Sequence, residues 1–140
     1  MAEAVTAPAA IKPSVGKVTA AQDGIVVFNP AGTRYEFRLA GAFTGTLNTP
    51  VKCTVRVKAR KVYTVPSGGS FVAPIYGPPR IVQGMVRKAD SRSLVVQAGT
   101  CSFHVELPVE ESGIDLDDGP IYTGRLVNVV CEPGARVEFS

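Results

Sequence analysis

From Val15 onward the chain alternates apolar and polar residues or carries short apolar runs, the period-two signature of strands half buried in a sheet. Val15 to Thr19, Ile25 to Phe28, and Tyr35, Phe37 and Leu39 interleaved with Glu36 and Arg38 predict three short strands. The segments between them carry Asp23-Gly24 and Asn29-Pro30-Ala31-Gly32, residues that supply positive or preset φ, so both connections read as hairpins. A loop with Gly41, Gly45 and Asn48-Thr49-Pro50 leads into the clearest strand. There Val51, Cys53, Val55, Val57 and Ala59 share one face, and Lys52, Thr54, Arg56, Lys58 and Arg60 share the other. Lys61 to Val65 predicts a further short strand closed by the turn Pro66-Ser67-Gly68-Gly69. Ser70 to Arg80 mixes three prolines with Phe71, Ile75 and Tyr76, so it is expected as an apolar linker loop rather than a central strand.

The second half then repeats the pattern of the first. Sliding Gly16–Leu39 onto Gly84–Leu107 without a gap matches Gly16 with Gly84, Val18 with Val86, Ala21 with Ala89, Val27 with Val95 and Leu39 with Leu107. On the same shift Tyr35 meets Phe103 and Phe37 meets Val105, while Val55 to Pro66 loosely parallels Gly124 to Pro133. The expected organisation is a lead over residues 1–13 and one β domain over 14–140. That domain divides into a unit at 14–69, the linker 70–80 and a unit at 81–140. Units of about sixty residues are too small to bury a core comfortably alone, so the two should pack together. The fold expected is all-β, a small pseudo-symmetric β-barrel or β-sandwich of the size of oligonucleotide-binding-like or SH3-like barrels. The duplication makes Leu39 and Leu107 equivalent core positions.

Composition agrees with a globular chain: 45% hydrophobic and 19% charged residues leave it far from the signature of disorder. Residues 1–14 lack the charged and apolar regions of a secretory signal, and no window approaches the ~18 apolar residues of a membrane-crossing helix. The three cysteines are odd in number and form no Cys-x-x-Cys pair, which favours reduced thiols over a disulfide framework or zinc site. A cytoplasmic location without membrane association is the expectation.

Charge changes the picture more. Residues 1–75 hold nine Lys and Arg against three Asp and Glu, and residues 76–140 hold six against nine, so the halves carry about +6 and −3. The basic excess concentrates on one strand, where Lys52, Arg56, Lys58 and Arg60 share a face, a row of cations about 7 Å apart along the strand, with Lys61 adjoining them and Tyr63 close by. Such a row can track a phosphate backbone. It can equally be a solvated face that blocks edge aggregation, or attract the acidic stretch Glu110, Glu111, Asp115, Asp117 and Asp118 of another copy.

Catalytic and metal constellations are absent from the sequence pattern. His104 is the only histidine, placed at opposite strand parity to Cys101, so the two should project to opposite faces. Asp115-Leu116-Asp117-Asp118-Gly119 lacks the carboxylate spacing of a calcium loop, and Asp117 to Pro120 reads as a β-turn. Cys53 should be buried, while Cys101 and Cys131 could be partly exposed. The sequence therefore points to a non-enzymatic binding or assembly module without cofactor or metal. Its partner would be a protein or a second copy, with Phe71 and Tyr76 of the linker and the basic strand as contact surfaces. A nucleic-acid-binding β-barrel using that strand is the alternative.

Overall fold

A computed structural model describes residues 13–140, which form twelve strands and one turn of 3-10 helix at Glu111–Gly113. The proposed lead lies, except for Pro13, outside the described residues. β1 (Ser14–Gln22), β2 (Ile25–Pro30) and β3 (Glu36–Ala40) form an antiparallel meander. Asp23 and Gly24 close its first turn with φ of 54° and 78°, the two positive values that match the twist of a tight hairpin.

β4 (Pro50–Thr64) is one strand of 15 residues, not two. Its inward face runs Cys53, Val55, Val57 and Ala59, then resumes as Val62 and Thr64 after Arg60 and Lys61 both point outward. There Ala59 faces Cys131 and Lys61 faces Val130, so one extra residue is accommodated as a bulge. The change of parity looks like a strand break in the sequence, but the ladder continues through it.

The Pro-rich linker is also more than a loop. β5 (Phe71–Ala73) pairs with β7 (Ile81–Ala89), and β6 (Tyr76–Gly77) pairs with β3. Pro74, Pro78 and Pro79 fall outside both pairs, which is how a sheet edge tolerates residues without an N–H. β8 (Ser93–Ala98) and β9 (Cys101–Glu106) complete a second meander. β10 (Ile114–Asp115), β11 (Leu126–Cys131) and β12 (Arg136–Phe139) follow.

These strands close two rings of five that share β4. One runs β1-β2-β3-β12-β4 and returns to β1; the other runs β7-β8-β9-β4-β11 and returns to β7. Along β4, Pro50–Cys53 lie against β1, Cys53–Arg56 against β12, Val55–Lys58 against β9 and Ala59–Thr64 with β11, apart from the bulged Arg60. Each ring therefore takes its closing strand from the other half of the chain. β12, at the C-terminal end, completes the first ring, and the second half of β4 completes the second.

The buried residues form one continuous cluster across both rings. Phe37 of β3 and Phe103 of β9 are each fully buried and meet edge to face, with ring centroids 5.7 Å apart at 62°.

The two meanders correspond only in part to the gapless repeat. β1–β2 pairs Val18 with Phe28 and Ala21 with Val26; β7–β8 pairs Val86 with Val96 and Ala89 with Leu94, each residue displaced by 68. Both pairs slip at the same place, after Val18 and after Val86. A Cβ on Gly16 would collide with the Asn29 carbonyl, and one on Gly84 with that of Gln97, so close backbone approach demands glycine at both. In the third strands, however, Phe28 faces Phe37 while Val96 faces Phe103. The displacement drops to 66 because the β8–β9 turn, Gly99–Thr100, is shorter than the β2–β3 connection over residues 31–35. Phe37 thus corresponds to Phe103 and Leu39 to Val105, not to Leu107, which is half-buried and follows the strand. Likewise Val51 faces Gly16 as Val127 faces Gly84, so the start of β4 answers β11, not the stretch Val55 to Pro66.

Candidate functional site

β4 carries the cationic row where the alternation predicts. Lys52, Lys58, Arg60 and Lys61 are exposed, and Arg56 and Tyr63 are half-buried. The row spans both rings, with Lys52 beside β1 and Lys61 beside β11. Arg56 Nε donates to Glu138 Oε1 at 2.9 Å, and Lys58 Nζ lies 3.8 Å from Glu106 Oε2. The Arg56 hydrogen bond, and then its charge, hold the Glu138 carboxyl below the usual carboxylate range. Lys61 Nζ sits 6.0 Å from the Tyr63 ring centroid, at the outer limit of a cation–π contact.

At the bulge, Lys58, Arg60 and Lys61 share a concavity of about 560 Å³ with Glu110 and Glu132. The basic and acidic stretches that look segregated along the sequence are therefore interleaved in space. The cause is the topology: β4 enters the ring made by the acidic half.

The linker residues Phe71 and Tyr76 are 41% and 65% exposed, and Ile75 between them is 50% exposed. The backbone that carries them is fixed at both ends by β5 and β6. The Val72 N–H also donates to the Tyr35 hydroxyl at 3.1 Å, and Val72 and Pro79 are buried beneath. Tyr76 lines a second concavity with Lys17, Thr19, Asn29, Arg34 and Glu36. Nothing in the local sequence joins these residues; β6 pairing with β3 brings them together, which is why pattern reading missed the group.

His104 points out of β9 and Cys101 points in, as their parity requires. Partial burial is the main cause that lowers the His104 pKa; the Arg56 and Lys88 charges add to it and Glu138 opposes it. Cys53 and Cys101 are buried and Cys131 is half-buried; burial pushes each thiol up to about 12, far from a reactive thiolate. Cys101 is thus not the partly exposed residue the sequence allowed: the Ser14 hydroxyl packs on its sulfur at 3.7 Å.

The acidic loop turns one residue earlier than expected, with Gly119 N–H donating to Leu116 C=O at 2.8 Å. Among the described residues no cluster of His, Cys, Asp and Glu has metal-site geometry, and no helix is long and apolar enough to cross a membrane. Comparison with known proteins finds no matching family profile, and no curated protein or solved structure matches the chain significantly.

Proposed function

We propose that the protein is a non-enzymatic binding module that docks a protein partner, in the simplest case a second copy of itself, on the strap Phe71 to Tyr76. The observation that carries this reading is the exposure of Phe71, Ile75 and Tyr76 on a backbone already fixed by strand pairing. Exposed apolar and aromatic groups supply the anchors of protein interfaces, and a fixed backbone lowers the ordering cost of docking. Three free thiols suit a cytoplasmic setting.

Light scattering over a range of protein and salt concentrations tests the reading. Mass should rise with concentration, little affected by salt, and the double variant Phe71→Ser, Ile75→Ser should abolish the rise. A strict monomer at every concentration would remove self-association. A rise that salt suppresses and the double variant leaves intact would instead favour complementary basic and acidic faces.

We also infer that the rings are barrels built by two tandem units that exchange their last strands. The shared register, the shared slip and the paired glycines Gly16 and Gly84 support this. The order 1-2-3-5-4, closing on strand 1 with strands 3 and 5 parallel, matches the five-stranded Greek-key barrel of oligonucleotide-binding domains. That likeness is one of topology and carries no ligand with it. Single-stranded nucleic acid along β4 is a second reading, favoured by Arg60 and Lys61 turning outward together beside Tyr63. Glu138 and Glu106 weigh against it, since each already engages a cation of the row.

A further inference from the structure

The first ring carries a concavity of about 440 Å³ on the outer side of β1, β2 and β3. Lys17 and Thr19 come from β1, Asn29 from β2, Glu36 from β3, Arg34 from the β2–β3 connection and Tyr76 from the strap. The corresponding positions on the second ring are Met85, Arg87 and Gln97, and there Arg87 Nε donates to Gln97 Oε1 at 2.7 Å, so the two side chains close on each other. The short turn Gly99–Thr100 offers no place for a counterpart of Arg34, and β4 occupies the side of β9 where β6 flanks β3. The concavity therefore depends on the longer connection and the strap, the two features in which the rings differ.

Both features are held firmly. Asn29 Nδ2 donates to the Thr33 and Tyr35 carbonyls at 3.0 and 2.7 Å, and the Thr33 hydroxyl donates to the Pro30 carbonyl at 2.8 Å, which fixes the connection presenting Arg34. Glu36 N–H donates to the Ile75 carbonyl at 2.9 Å, which fixes the backbone beside Tyr76.

We propose that this concavity binds a nucleoside phosphate unit, its base stacked on the Tyr76 ring and its phosphate between Lys17 and Arg34. An aromatic face beside two cations is the combination that holds a planar ring joined to a phosphate. The Glu36 carboxylate and Thr19 hydroxyl are placed to accept and donate hydrogen bonds at the sugar or base. Glu36 also reduces the local charge, so the site suits one phosphorylated unit better than a dense polyanion. The volume lies in the range of small-ligand pockets, roughly 300 to 1,000 Å³. The site is separate from the β4 row and shares only Tyr76 with the strap.

Two probes distinguish the sources of such a unit: adenosine monophosphate by calorimetry, and a labelled oligothymidylate of about ten nucleotides by fluorescence anisotropy. Binding of both assigns a free-nucleotide site; binding of the oligomer alone assigns one residue of a single strand. In either case Tyr76→Ala should weaken binding about five-fold or more, the loss expected for one stacked base. Lys17→Ala with Arg34→Ala should weaken it strongly at low salt and less at high salt, with the circular dichroism of the folded chain unchanged. Arg60→Ala with Lys61→Ala should have no effect. The proposal is overturned if neither probe binds at millimolar concentration, or if binding survives loss of Lys17 and Arg34, including the case in which the β4 variant abolishes it.

Discussion

Replacing Phe37 and Phe103 by leucine, singly and together, asks whether the two rings fold as one unit. Both rings of carbon are fully buried and touch edge to face at 5.7 Å, and Tyr35 stacks on Phe37 with a centroid distance of 5.2 Å. Each substitution removes about three buried carbons, so at about 0.8 kcal/mol per carbon each should cost roughly 2 to 3 kcal/mol. Phe37→Leu should be the more costly because it also loses the stack with Tyr35. An edge-to-face pair contributes about 0.5 to 1.5 kcal/mol beyond burial, and either single variant already removes it. The double variant should therefore cost less than the sum of the singles by about that amount. A chain of this length should have on the order of 7 to 15 kcal/mol of stability, so all three variants should remain folded. Urea unfolding followed by circular dichroism gives the midpoints, and an unchanged slope would show that the unfolded reference has not moved. Costs that add to within about 0.3 kcal/mol, or a second transition in either single variant, would refute a core that couples the rings.

Leu39 and Leu107 separate the observed register from the gapless repeat: Leu39→Ala should cost about 2 to 5 kcal/mol, Leu107→Ala clearly less, and equal losses in urea unfolding would argue for the gapless pairing. His104 makes stability depend on pH. Its pKa is lowered in the fold by partial burial and by Arg56 and Lys88, with Glu138 opposing, so the unfolded chain binds the proton more readily. That contribution is fully present above about pH 6.5 and is lost as pH falls toward the lowered folded value. His104→Gln should flatten the stability curve between about pH 5 and 7, and an unaltered slope there would remove His104 as the cause.

Alternation together with the turn residues determined the all-β class, both hairpin turns of the first meander, the inward set Cys53, Val55, Val57 and Ala59, and the outward cations opposite them. These follow from backbone geometry: successive side chains leave opposite faces of a strand, and Asp23-Gly24 supplies the positive φ that a tight turn requires. The shift of 68 residues read from the chain also describes the pairing of the first two strands in each meander, but not the register at the third strand. A shorter turn before Phe103 shifts that strand by two residues while keeping the same parity, so the alternating pattern cannot distinguish Val105 from Leu107 as the partner of Leu39.

What only the tertiary structure decided is non-local. The bulge at Arg60 and Lys61 is defined by β11, a strand some seventy residues later in the chain. The pairing of β4 with β9 and β12 places Glu106 and Glu138 beside cations of β4, which turns an apparent division of charge into a mixed surface. Tyr76 lines one concavity with Lys17 and Arg34 only because β6 pairs with β3. Pairing partners of this kind are chosen by the competition of many strands for one shared core, and no local pattern of residues records which of them wins.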